Sequence, residues 1–190
     1  MPRLPRAVFL DRDGTINREV DLLREVGQLR LLPGAAEGIR ALNRMGYRVI
    51  VVTNQSVVAR GWVTEAKLQS IHRALEARLR RRGARLDAIF YCPHHPDADL
   101  PRYRVRCRCR KPGIGLIRRA GRELGVAMRG SFMVGDSTRD ILAGRRARLD
   151  TILLGTGYAG KDGKYAVRPD HAASDLASAA RLIGRLRKSR

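Results

Sequence analysis

Residues 7–17 read AVFLDRDGTIN, an apolar run that ends abruptly in two carboxylates and a glycine. A β-strand over 7–10 places Asp11 and Asp13 two residues apart at its carboxyl end, the end at which parallel sheets open their ligand crevices. Two carboxylates that close repel each other unless a cation or a proton intervenes, and a hard, oxygen-seeking ion such as Mg²⁺ suits them. Gly14 permits the sharp departure of the chain that follows. Taken alone, a DxDG turn is almost as readily a solvated loop, so its meaning depends on what stands elsewhere.

Working outward, short apolar runs at 48–52, 88–91, 132–134 and 151–154 repeat the character of 7–10. Between and after them, 35–45, 64–82, 113–124, 138–146 and 175–187 carry apolar residues at three- and four-residue spacing. This alternation predicts an α/β fold, a Rossmann-like parallel sheet with helices on both faces. Thr64 with Glu65, and Pro112 ahead of the third helix, act as start signals. Two stretches, 17–33 and 92–110, fit neither period, and loops of that length inside a compact domain usually carry function.

Three further polar groups fall at the ends of expected strands. VVTNQS (51–56) offers the Thr53 hydroxyl and neighbouring backbone N–H groups to a phosphate oxygen, although a Thr-Asn turn by itself more often only caps a strand. Lys111 precedes Pro112 and a helix, where its ammonium can meet developing negative charge, although most single lysines are surface charges. In FMVGDSTRDI (132–141), Asp136 follows a strand, and Asp140 lies about one helical turn on, as a second ligand or as support behind the first. The plainer role for Asp136 is a helix cap.

In order along the chain, DxDGT, TN, K and GDxxxD at four successive sheet edges resemble the haloacid dehalogenase superfamily of phosphatases. The resemblance implies Asp11 as nucleophile and Asp13 as the acid and base. Thr53, Asn54, Arg110 and Lys111 are then expected around the substrate. Mg²⁺ is expected on Asp11, the main-chain carbonyl of Asp13 and Asp136, with Asp140 supporting that site.

The second aperiodic stretch contains Cys92-Pro93-His94 and Cys107-Arg108-Cys109, which take in all three cysteines of the chain. Cys92, His94, Cys107 and Cys109 make a Cys₃His set suited to tetrahedral structural Zn²⁺, with His95 as the substitute imidazole. A closed four-ligand site has no open position for water, so zinc is expected to fix the loop at 92–109 and the adjacent Arg110-Lys111. YCPHHP (91–96) and CRCRKP (107–112), with the motifs upstream, resemble bacterial heptose bisphosphate phosphatases and related histidinol phosphatases. That resemblance implies removal of the 7-phosphate of D-glycero-D-manno-heptose 1,7-bisphosphate, with histidinol phosphate as the alternative substrate, by a monomer without a large cap domain. It also exposes departures. Family members often carry Gly-Tyr-Val where this chain has Asp21-Leu22-Leu23, a lysine where it has Ser137, and a glycine where it has Val57.

Composition bounds the remaining choices. With 190 residues, 44% of them hydrophobic, the chain suffices for one domain over 1–190 with one sizeable core. No apolar run reaches the ~18 residues that would span a bilayer, and a small-molecule enzyme of the cytoplasm is expected. The formal charge of +21 comes mostly from arginine and would concentrate any anion, a sugar phosphate or a nucleic acid alike. A nucleic-acid-binding module or polynucleotide phosphatase is the reading of another class. Five Tyr, three Phe and one Trp leave little for base stacking, so nucleic acid is not the expected partner.

Overall fold

The computed structural model describes residues 4–188, which form six strands and five helices. Strands β1 (Arg6–Leu10), β2 (Arg48–Asn54), β3 (Ala88–Cys92), β4 (Ala127–Gly135), β5 (Asp150–Leu154) and β6 (His171–Ala173) make one sheet in the order β3-β2-β1-β4-β5-β6. Every pairing is parallel. The helices are α1 (Ala35–Arg44), α2 (Glu65–Arg80), α3 (Gly115–Glu123), α4 (Thr138–Arg146) and α5 (Leu176–Lys188).

Side chains of β1 alternate between two cores. Val8 and Leu10 pack with Ile39 and Leu42 of α1, Leu75 of α2 and Ile183 of α5, whereas Ala7 and Phe9 pack with Leu116 and Ile117 of α3 and Ala143 of α4. Because a strand sends successive side chains to opposite faces, a sheet apolar on both sides needs helices on both sides. The expected Rossmann-like α/β fold is therefore present. Thr64 caps α2, its Oγ1 accepting from the Lys67 N–H at 3.1 Å, and Asp175 does the same for α5 through the Ser178 N–H at 2.7 Å. Such caps satisfy N–H groups that a helix start leaves orphaned, for about 1 kcal/mol each.

Three elements differ from the sequence reading. Strand β6 is new, a three-residue edge strand without a long enough apolar run to announce itself. Strand β4 starts five residues earlier than the apolar run at 132–134, and its pairing with β1 slips between Arg6 and Val8, so polar Arg129 and Gly130 sit in a bulged segment. Helix α3 starts at Gly115 rather than 113, because the N–H groups of Gly113 and Gly115 bind the carbonyls of Arg110 and Arg108 in a turn.

The connections from β1 and from β4 leave toward opposite edges of the sheet, so the carboxyl ends of these neighbours flank a topological switch point. Around it lie the loops 17–33 and 92–110, which contain only single 3₁₀ turns at Val26–Gln28 and Pro101–Tyr103. The first loop is tied down. Asn17 bridges Leu31, Leu23 and Leu29 are buried, and the Arg78 guanidinium donates to the Leu29 and Val26 carbonyls. At the departure 21–23, Asp21 and Leu22 adopt left-handed φ of 44° and 71°, a conformation that glycine takes without strain. Among the described residues, no helix is long and apolar enough to cross a membrane.

Candidate active site

The switch point gathers the acidic residues. Asp11 leaves the end of β1, Asp136 follows β4 and Asp140 lies in the first turn of α4, and each offers a carboxylate oxygen within 4.8 Å of the others. Lys111 is the cation among them, with Nζ 2.9 Å from Asp11 Oδ1 and 2.7 Å from Asp140 Oδ1. Burial would strip the Lys111 proton, but Asp11 and Asp140 hold its pKa above the ordinary lysine value. Burial pushes the Asp11 carboxyl up, against the pull of Lys111. Asp136 is pushed up to about 8, by burial first and then by the charges of Asp11 and Asp140.

Three carboxylates facing one ammonium leave a formal deficit of two positive charges, the deficit that a divalent cation fills. Two glycines make room for the Asp136 carboxylate in this cluster. A Cβ at Gly14 would stand 2.2 Å from Asp136 Oδ2 and one at Gly157 2.1 Å from it, and both glycines have positive φ. The cluster therefore fits a hard oxygen-ligated ion in donor type and charge.

Asp13 stands apart. Its side chain accepts from the Arg12 guanidinium at 2.7 and 2.9 Å, from Asn17 Nδ2 at 2.8 Å and from Gln55 Nε2 at 2.9 Å. Burial raises the Asp13 pKa, but Arg12, Asn17 and Gln55 more than offset this and hold the carboxyl below its ordinary range. Its carboxylate is thus outside the acidic cluster, leaving the main-chain carbonyl as its expected metal contact. Arg12 is itself buried and its Nη1 lies 3.2 Å from His72 Nε2 of α2. Burial, and then Arg12, lower the His72 pKa to about 3, so the ring is neutral and accepts from the guanidinium.

Thr53 and Asn54 end β2 beside this group. The Gln55 amide links Thr53 Oγ1, at 2.9 Å, to Asp13. Asn54 spends both ends of its amide on the Lys111 main chain, accepting from its N–H at 2.9 Å and donating to its carbonyl at 3.1 Å. Asn54 therefore holds the segment that delivers the lysine.

The 92–110 loop brings Cys92, His94, Cys107 and Cys109 together, with one ligand atom from each within 4.8 Å of the rest. The sulfurs are 2.8 to 3.3 Å apart, and His94 Nδ1 is 3.6 Å from Cys109 Sγ and 3.7 Å from Cys92 Sγ. All three cysteines are free. Three thiols and an imidazole aimed at one point fit a tetrahedral ion. Of the two neighbouring histidines, His94 joins the cluster and His95 turns its Nδ1 to the Asp97 N–H. Arg110 Nη1 donates to the His94 carbonyl at 3.1 Å, joining this cluster to the residue before Lys111.

The sequence reading passed over the segment 155–170. Here Thr156 Oγ1 donates to the Gly14 carbonyl at 2.6 Å, the Tyr158 N–H donates to Asp136 Oδ2 at 2.7 Å, and the Gly160 N–H donates to the Asp136 carbonyl at 2.8 Å. Three glycines at 155, 157 and 160 were the available signal. Arg12, Asn17 and Gln55 lay inside the quoted motifs, but the spacing gives no sign that they converge on Asp13.

A parallel α/β sheet with paired aspartates at its switch point, a buried lysine and a further acidic turn defines a class of phosphoryl-transferring hydrolase. The chain belongs to the haloacid dehalogenase family and is a phosphatase: a HAD-hydrolase-like family matches residues 108–179, and curated phosphatases are similar over most of its length. The D-glycero-beta-D-manno-heptose-1,7-bisphosphate 7-phosphatase of Photorhabdus laumondii is 43% identical over 152 residues, 80% of this chain and 81% of that protein. The enzyme of the same name from Rhodopseudomonas palustris is 44% identical over 146 residues, 77% of this chain and 81% of that protein. Among solved structures, the D,D-heptose 1,7-bisphosphate phosphatase of B. bronchiseptica, complexed with magnesium and phosphate, superposes with a TM-score of 0.84 at 33% identity, covering 95% of this chain and 99% of that one.

Proposed function

We propose that this phosphatase removes the 7-phosphate of D-glycero-β-D-manno-heptose 1,7-bisphosphate through a phosphoryl group carried on Asp11. One observation supports this most directly: Asp11, at the end of β1, faces Lys111 at 2.9 Å while its carboxylate clusters with Asp136 and Asp140. The heptose assignment rests on the similarity to enzymes of that name over four fifths of the chain.

In this reading an Asp11 oxygen attacks phosphorus and the bond to the sugar oxygen breaks. Asp13 gives that oxygen its proton, then takes one from the water that attacks phosphorus and frees Asp11 with inorganic phosphate. Asp13 is ionised in the resting arrangement, the form suited to taking a proton. A dianionic phosphate arriving beside it raises its proton affinity, as the acid role requires. Lys111 and Thr53 bind the phosphoryl oxygens, and Asn54 acts through its hold on the Lys111 main chain. Asp11, Asp136 and the Asp13 carbonyl would hold Mg²⁺, which screens the repulsion between nucleophile and phosphate. Asp140 fixes Lys111 and caps α4, its Oδ2 accepting from the Ser137 N–H and hydroxyl at 3.1 and 2.8 Å.

Hydrolysis of a panel with Mg²⁺ tests the substrate. The β-anomer of the heptose bisphosphate is expected to give the highest kcat/KM, above the α-anomer, histidinol phosphate and an end-phosphorylated oligonucleotide. Preference for histidinol phosphate would move the assignment to that amino alcohol, and preference for the oligonucleotide would make the enzyme a polynucleotide phosphatase.

The cysteine cluster is proposed to hold Zn²⁺ as a structural ion. Purified protein is expected to contain about one zinc per chain. Cys107→Ser is expected to lower that content and the melting temperature together, because binding free energy at such a site is folding free energy. Metal-free protein with freely alkylated cysteines and an unchanged melting temperature would remove zinc from the account.

A further inference from the structure

Three side chains hold the Asp13 carboxylate, and they do not hold it equally. Asn17 donates to Oδ1 alone and Gln55 to Oδ2 alone, so neither fixes how the group is tilted. Arg12 takes both oxygens. Its Nη2 donates to Oδ1 at 2.9 Å and to Oδ2 at 2.7 Å, and its Nε adds a contact to Oδ1 at 3.1 Å. A planar guanidinium laid on a planar carboxylate sets its orientation as well as its position. Arg12 is the largest fully buried side chain among the described residues, and its main-chain N–H also donates to Asp11 Oδ1 at 2.7 Å. One residue thus touches both aspartates.

The remaining nitrogen of that guanidinium, Nη1, lies 3.2 Å from Nε2 of His72 on α2. A guanidinium has no acceptor, so Nε2 must accept and the ring proton stands on Nδ1. His72 shares the buried face of α2 with Leu68, Ile71 and Leu75, and its ring meets that of Tyr91 edge-on at 5.6 Å between centres. The ring is therefore itself fixed by packing. Leaving a buried, charged N–H without its acceptor is costly, and an unmet Nη1 would draw the guanidinium off Asp13. His72 holds Arg12, and Arg12 holds Asp13.

We infer that Arg12 and His72 are positioning residues for proton transfer, and that the chain of contacts from His72 through Arg12 to Asp13 sets the angle at which the Asp13 carboxyl meets the leaving oxygen. This rests on the reading of Asp13 as the acid, and it assigns a role to a histidine that lies outside the sequence motifs. As the Asp11 oxygen bonds to phosphorus, the bond from phosphorus to the leaving oxygen breaks, its electron pair goes to that oxygen, and the Asp13 proton moves onto it. An alkoxide needs that proton, whereas a nitrophenolate is stable as an anion and departs without it.

The test compares p-nitrobenzyl phosphate with p-nitrophenyl phosphate, two substrates close in shape that differ in leaving group, with Mg²⁺ and with enzyme in excess so that slow reactions are read. Because kcat/KM covers the steps up to departure of the leaving group, the ratio of the benzyl to the phenyl value reads the acid step. His72→Leu is expected to cut the wild-type ratio about tenfold, and Arg12→Lys, which keeps the charge and loses the fork, to cut it further. His72→Gln, whose side-chain oxygen can accept where Nε2 does, is expected to restore most of the ratio. Arg12→Lys carries the test if His72→Leu fails to fold. A merely structural role weakens both substrates in proportion, and an unchanged ratio in these variants would overturn the proposal. Asp13→Asn separates the proposal from the reading beneath it. A selective loss of benzyl turnover there, absent from His72→Leu and Arg12→Lys, overturns the positioning role alone. Equal loss of both substrates in Asp13→Asn overturns Asp13 as the acid, and the positioning role with it.

Discussion

Asp11→Asn is expected to abolish phosphatase turnover, by on the order of 10⁴-fold or more, while leaving metal-free protein as stable as the wild type or more so. The two halves have one cause. An amide has no anionic oxygen to attack phosphorus, so the route through a covalent intermediate closes. Yet the Asp11 carboxylate is also an electrostatic burden. Burial raises its pKa, and the charges of Asp140 and Asp13 add to the rise against Lys111 alone. Removing one of three carboxylates that share a single buried ammonium relieves repulsion and leaves Lys111 paired with Asp140 at 2.7 Å. Rate measurements under single-turnover conditions, paired with a melting curve in chelator, read both halves. Ordinary activity in the variant would remove Asp11 as the nucleophile. Lost activity with a markedly lower melting temperature would mean that Asp11 serves the fold instead.

How much of this was legible follows from where the information sits in the chain. The strands of the sheet centre announce themselves because each is a short apolar run bounded by polar residues, and the order of acidic motifs fixes which ends face the site. Asp11, Asp136, Asp140 and Lys111 were readable for that reason: each lies within a residue or two of a strand end or a helix start, so local pattern placed it. His94 and the three cysteines were readable because one short loop holds them all.

What the sequence did not disclose is contact between segments. Gln55 reaches Asp13 across 42 positions and His72 reaches Arg12 across 60, and no period or spacing carries such a pairing. The same holds for Asn54. A Thr-Asn pair at a strand end suggested a phosphate contact, whereas the amide is occupied by the Lys111 main chain 57 positions away. The 155–170 segment has almost no regular structure, yet its backbone N–H groups bind Asp136 at 2.7 and 2.8 Å. These two contacts to Asp136 use only main-chain atoms of the segment, so residue identities gave little warning of them beyond the glycines that let the chain pass so close.

Lys111→Met should be the most damaging change to stability. Methionine nearly preserves the volume and length of the side chain, so packing is retained and the charge alone is lost. Lys111 is almost fully buried and pairs with Asp11 and Asp140 at once. Deleting the cation leaves buried carboxylates uncompensated, which costs about 3–5 kcal/mol, or roughly 10 °C in melting temperature for a chain of this size. Turnover is expected to fall about 10²–10³-fold, as when a group aimed at developing negative charge is removed. The pH dependence separates charge from packing. Without Lys111, the burial that already raises the Asp11 pKa is unopposed, and Asp136, already pushed up to about 8, shifts the same way. The folded variant then keeps protons that the unfolded chain gives up above about pH 4. Its stability accordingly falls as pH rises from there toward 8, and the deficit against wild type is smallest at the acid end. Mg²⁺ is expected to raise the melting temperature of the variant more than that of the wild type at pH 8, because it replaces part of the missing positive charge. A deficit independent of pH and untouched by Mg²⁺ would mean that Lys111 matters for its packing, and the electrostatic account of the acidic cluster would fail with it.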